Sequence, residues 1–252
     1  MPDPDVVPPA APATPASPAA PGASPAAGAP QAPAGAHAPA RPGRLLQAVV
    51  LLRGRGWLGT ASVFYGLVAL FALGYALFSG QPGALVGERL PSGAMLAGGL
   101  GAGLLLVLLA QVATRVWGAF AATREMLVRM LGPLGVRDAL LLALLSGVAE
   151  ELLFRGALWP HLGLVGTSLL FGLMHLIPHR ALWSYPLFAT AAGFLLGLLR
   201  SESGSVLPPV IAHVTVNAIN LAWLGREARR QAKAAALTAA APAPAPAAPP
   251  GA

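Results

Sequence analysis

The fold class this sequence predicts is an all-α, polytopic membrane helix bundle of about six transmembrane helices, and three observations predict it. Of its 252 residues, 56% are hydrophobic and only 10% are charged. The mean hydropathy is +0.67 although both ends are polar or rich in Ala and Pro. Setting the ends aside leaves about 190 residues, room for about six spans at about 20 apolar residues each with short loops between them. A single membrane domain, 43–230, is the expected organisation.

The first segment, 1–42, is almost entirely Ala, Pro, Gly and Ser, with too few large apolar side chains to offset the entropy of ordering, so a disordered tail is expected. It carries Asp3 and Asp5 where a secretory leader has basic residues, and no apolar core follows, so no cleaved leader is expected. Candidate spans then follow at about 57–79, 93–118, 137–158, 164–178, 182–200 and 205–224. The fourth, "LVGTSLLFGLMHLIP", has only about 15 apolar-run residues, which predicts a tilted, protein-buried or re-entrant helix. Between the second and third spans "TREMLVRML", 123–131, alternates charge with apolar residues at helical spacing, the pattern of a helix lying along the interface. The Ala/Pro-rich stretch 231–252 is expected to be a second disordered tail.

The formal charge of +7 points in a soluble protein to nucleic acid or an acidic partner. Here the basic residues flank apolar runs, so bilayer orientation explains them and no nucleic-acid partner is expected. With six spans, one side receives Arg44, Arg53, Arg55, Arg124, Arg129, Arg137, Arg180, Arg226, Arg229, Arg230 and Lys233, whereas the other keeps chiefly Arg89 and Arg200. The positive-inside rule then places both termini in the cytoplasm. The Ala-, Pro-, Gly- and Arg-rich composition is compatible with a GC-rich bacterial genome, so a bacterial cytoplasmic membrane is expected. Cysteine is absent, which excludes disulfides, thiolate metal sites and a cysteine nucleophile.

Ionisable side chains inside spans cost about 2.5–3.5 kcal/mol on insertion scales and are functional candidates for that reason. In "AEELLFRG", 149–156, Glu151 and Arg155 share a helix face four residues apart, in the order that suits an ion pair. Glu150 is rotated about 100° away and is free to face another helix, where desolvation favours a general base. In "FGLMH", 171–175, Phe171 lies one turn before His175 and would fix or wall its ring. In "HVTVN", 213–217, His213 and Asn217 lie one turn apart, two donors converging as an oxyanion hole requires. Each cluster alone is equally a packing or hydrogen-bonding device. Together, on three different spans, they compose a hydrolytic site. No Ser or Cys sits in a nucleophile-elbow pattern, so water is the expected nucleophile.

These three segments resemble the CPBP family of intramembrane proteases, also called the CAAX prenyl protease type 2 or Abi family, whose motifs are EExxxR, FxxxH and HxxxN. They occur in the family's order, within about 130–225. The resemblance implies a membrane endopeptidase acting on a peptide or protein at the bilayer. Glu150 and His175 would activate a water, His213 and Asn217 would stabilise the oxyanion, and Glu151 with Arg155 would be structural. The family is often labelled metalloprotease, but a metal-free glutamate mechanism has also been proposed for it. Glu150, His175 and His213 are the zinc ligand set if a metal is bound. Glu151 would then have to be the base, a role weakened by Arg155, so the reading preferred here requires no cofactor. A CAAX substrate does not follow, because prenylated CAAX proteins are chiefly eukaryotic and the family resemblance extends in bacteria to peptide maturation and bacteriocin self-immunity.

Two other classes compete: an inactive scaffold or immunity protein on the same fold, and a proton-coupled transporter, which would favour an internal repeat that the sequence lacks. The remaining polar residues read as structure. His161, after Trp159 and Pro160, is interfacial, His179 is a loop residue, and Asn220 packs between helices. The tryptophans near span ends form a belt. "GGLGAG", 98–103, is close helix packing through small residues and not a dinucleotide fingerprint, since neither the strand before it nor the acidic residue after it is present.

Overall fold

The apolar runs fold as helices whose ends coincide with local stop signals, in a computed structural model that describes residues 57–240. Among these residues there are seven α-helices and no strand. Helix α1, Trp57–Phe78, ends in a turn at Gly80 (φ +72°) and a 3-10 turn at Pro82–Leu85. Helix α2, Gly93–Val116, starts on Ser92, whose Oγ accepts from the Met95 N–H. Helix α3, Gly118–Leu131, holds the amphipathic stretch and stops at Gly132 (φ +65°). Helix α4, Val136–Glu151, runs into a π-helical turn, Leu152–Ala157. Helices α5, Trp159–Met174, α6, Ser184–Ser203, and α7, Leu207–Ala240, complete the chain, with Pro160 in the first turn of α5 and Pro208 and Pro209 in that of α7, where a missing N–H costs nothing.

The expected count of six spans is approximate. Among the described residues, three helices are long and apolar enough to cross a membrane: Leu58–Phe78, Gly93–Val116 and Leu207–Ala240. A fourth arises if Gly118–Leu131 and Val136–Ala157, bent by 108°, act as one broken span. Helix α5, 16 residues interrupted by a kink at Gly163 (φ +58°), spans at most about 24 Å, short of a hydrocarbon core of about 30 Å. Helix α6 has 20 residues but ends in Arg200, Ser201, Glu202 and Ser203. Large apolar side chains of α1 and α2, among them Phe64, Leu67, Phe71, Leu104 and Leu108, face outward, as the lipid-facing side of an integral membrane protein requires.

The C-terminal helix also corrects an expectation. Residues 231–240, read as part of a disordered tail, continue α7, because Ala is the strongest helix former and the prolines begin only at Pro242. The expected tail at 1–42 and the first basic cluster, Arg44, Arg53 and Arg55, lie outside the described residues, as do 241–252.

Small residues set how closely the helices approach. A Cβ on Gly99 would stand 2.5 Å from the Pro208 carbonyl oxygen, and one on Gly103 2.7 Å from that of Ala212, so the "GGLGAG" stretch does serve helix packing, seating α2 on α7. On α4, a Cβ on Gly147 would meet Val214 Cγ2 at 2.7 Å. That contact brings the Glu150/Glu151 end of α4 against the His213/Asn217 segment of α7. On α5 and α6, Gly172 faces Thr190 and Gly193 faces Ser168 in the same manner.

Candidate active site

The acidic pair sits where the backbone changes from α to π. Helix α4 ends at Glu151, and the wider turn that follows is closed by Leu158 N–H donating to the Leu153 carbonyl, five residues back. π-helical turns are rare and concentrate at functional sites. Within this turn Arg155 Nη1 donates to Glu151 Oε1 at 3.0 Å, and both side chains are fully buried. Arg155 Nη2 donates to the Gly193 carbonyl of α6 at 2.7 Å, and its guanidinium lies 4.8 Å from the Phe171 ring centroid, over the ring face. Arg200 Nε in turn donates to the Arg155 carbonyl at 3.1 Å. The arginine thus ties the turn to α5 and α6 as well as to its own carboxylate.

Glu151 has a second partner. His213 Nδ1 stands 2.7 Å from Glu151 Oε1, so the imidazole of α7 donates to the carboxylate that Arg155 holds. This turns His213 Nε2 toward Glu150, 3.9 Å from Oε2. From the other side His175, at the C-terminal end of α5, places its Nε2 3.8 Å from the same Oε2. His175 Nδ1 lies 2.7 Å from the Phe171 carbonyl and donates to it. Both histidines therefore use Nδ1 for an anchor and present Nε2 to Glu150. Glu150 Oε2 is buried and has no hydrogen-bond partner of its own. Phe171 walls the group, 4.5 Å from the His175 ring centroid and 5.6 Å from that of His213.

Glu150, His175 and His213 come together, and Asn217 lies alongside with its amide engaged. Asn217 Nδ2 donates to Ser146 Oγ at 3.0 Å, one turn before Glu150 on α4. His175, His213 and Asn217 line a cavity of about 180 Å³, with Tyr185, Phe188 and Phe171 on its apolar walls. The residues read as structural are found in such roles: His161 packs on Tyr75, His179 Nδ1 accepts from the Ala181 N–H, and Asn220 Oδ1 accepts from Gln111 Nε2.

Two tyrosines were not among the sequence candidates. Tyr65, midway along α1, lies close to Glu150 and Ser146. Tyr185 stacks edge-on against His175, ring centroids 5.3 Å apart. Neither belongs to a motif; the one signal for Tyr65 is a phenol in the middle of an apolar span, which needs a partner when buried.

Among the described residues no three His, Asp or Glu side chains are arranged to hold a metal ion. The Glu150 oxygen is 3.8 and 3.9 Å from the two imidazole nitrogens, wider than the roughly 3.3 Å between tetrahedral ligands at zinc bond lengths.

A family model matches the segment that holds these residues. Residues 133–219 match the family model of the type II CAAX prenyl endopeptidase Rce1-like proteins. An uncharacterized protein of Bacillus subtilis (strain 168), YpbD, is 40% identical over 78 residues, covering 31% of this chain and 41% of that protein. The chain thus spans about two fifths of the length of this curated relative. No solved structure gives a significant match.

Proposed function

We propose, from the premise that residues 133–219 form a domain of the Rce1-like type II CAAX prenyl endopeptidase family, that this membrane protein hydrolyses peptide bonds with a glutamate-activated water. The observation that carries the reading is the convergence of His175 Nε2 and His213 Nε2 on Glu150 Oε2, at 3.8 and 3.9 Å, beside an apolar cavity. Those gaps are too long for direct hydrogen bonds and suit a water held between the groups. Glu150 takes a proton from that water as it attacks the scissile carbonyl and hands it to His175 Nε2, which passes it to the departing amine. His213 stabilises the oxyanion in its imidazolium form, when Nδ1 donates to Glu151 and Nε2 donates into the site. Asn217 shares that task by turning its amide from Ser146 to the oxyanion, or supports it by positioning. The reading preferred here uses water and no metal, and the substrate is a peptide or protein reached from the bilayer. The setting is a bacterial cytoplasmic membrane, with both termini in the cytoplasm.

Purified full-length protein is expected to cleave a reporter peptide, and Glu150→Ala and His175→Ala to abolish cleavage while leaving expression and helicity intact. Full activity in either variant sinks the assignment. Elemental analysis with chelator treatment decides the metal question on the same sample: activity that persists without bound metal supports the water-activating glutamate, and activity lost and then restored by zinc overturns it.

A further inference from the structure

The catalytic cavity does not end in an apolar wall. Gln111, Thr114, Arg124 and Trp223 line it and also line a second, polar pocket of about 290 Å³. Arg115, Arg226, Arg230 and Glu227 complete that pocket's charged lining. Four guanidiniums therefore face one carboxylate. Glu227 is 4.0 Å from Arg230, whereas Arg115, Arg124 and Arg226 make no ion pair among the described residues. These arginines come from three helices, α2, α3 and α7, so the cluster is a product of the packing and not of one basic run.

From this geometry we infer that the arginine pocket is a subsite for a carboxylate carried by the peptide substrate, on the arm that leads away from the scissile bond. The inference rests on the hydrolytic reading of the adjoining cavity. Guanidinium forks match a carboxylate with paired hydrogen bonds. The two spaces adjoin, sharing Gln111, Thr114, Arg124 and Trp223 in their linings, and the first of them also reaches His175 and His213. At the junction Gln111 and Asn220, hydrogen-bonded to each other, supply donors and acceptors suited to peptide amides crossing an otherwise apolar channel. A phospholipid headgroup would engage the arginines alone, whereas a peptide would also engage the amide groups of Gln111 and Asn220 that the pair leaves open.

The test is binding, which does not depend on turnover. Full-length protein in phosphatidylcholine nanodiscs is titrated with three labelled peptides of one apolar sequence: a free C-terminal carboxylate, a C-terminal amide, and an amide with one Glu near the end. Carboxylate peptides are expected to bind about tenfold tighter than the neutral amide, the worth of one charge-assisted hydrogen bond. The advantage should shrink in high salt and disappear in Arg124→Gln/Arg226→Gln. Comparison of the two charged peptides tells a terminal from a side-chain carboxylate. Equal affinity for all three, or an advantage untouched by the double substitution, overturns the inference. So does a double variant that loses binding of phosphatidylglycerol while keeping its peptide preference, which assigns the arginines to lipid. A preference with no cleavage of any peptide leaves the subsite standing and removes the hydrolytic reading; cleavage with no preference does the reverse.

Discussion

His213 Nδ1 donates to Glu151 Oε1 at 2.7 Å, which makes the second glutamate of the acidic pair the anchor of a histidine 62 positions further along the chain. The same oxygen accepts from Arg155 Nη1 at 3.0 Å. One buried carboxylate oxygen therefore sets the orientation of the imidazole whose other nitrogen faces Glu150.

Glu151→Gln tests that anchoring. The amide keeps the size of the side chain but removes the charge opposite His213, which on the proposed mechanism weakens its hold on the oxyanion. The expected result is a fall in kcat of roughly 10²–10⁴-fold, the span that a positioned acid–base group contributes, with KM changed little. Unchanged kcat in the folded fraction, with only stability reduced, would reduce Glu151 to a structural role.

Arg155→Ala should act differently. It strands the fully buried Glu151 without its guanidinium and removes the tie to the Gly193 carbonyl. Breaking a buried pair by deleting one partner costs about 3–5 kcal/mol. Thermal unfolding in detergent should show a large loss of stability, and a variant as stable as the parent would contradict the buried-pair account.

Gly147→Ala probes the helix contact that assembles the site. The added methyl meets Val214 Cγ2 at 2.7 Å and the Val214 nitrogen at 3.1 Å, so α4 and α7 must separate or Val214 must yield. Overpacking of this kind costs about 1–3 kcal/mol, and cleavage should fall because Glu150 and His213 sit on opposite sides of the contact. Adding Val214→Ala removes the nearer atom and should restore part of the activity. No recovery in the double variant would show that the contact does not control the site.

How much of this was legible beforehand depends on the distance over which each contact acts along the chain. Glu151 with Arg155, and Phe171 with His175, are four residues apart, and helical geometry alone brings such pairs together. The small-residue run of α2 could likewise be read as a packing face, because the absence of a side chain is a local property. The direction in which Glu150 looks is a local inference too, yet its meeting with His175 and His213 required α5 and α7 to arrive. Span counting was less secure, since length and hydropathy do not reveal that α5 stops at Met174 or that α3 and α4 bend by 108°.

The sequence by itself determined an all-helical membrane protein and singled out the ionisable side chains of its apolar helices, because composition and a repeat of 3.6 residues per turn are properties of the chain alone. The tertiary structure decided which atoms of those side chains are free. It engaged His213 Nδ1 with Glu151 and the Asn217 amide with Ser146, brought Tyr65 of α1 to Glu150, and opened the cavity onto arginines of three helices. Each of these contacts joins residues far apart in sequence. Only helix packing, set by glycines such as Gly103 and Gly147, brings them within reach.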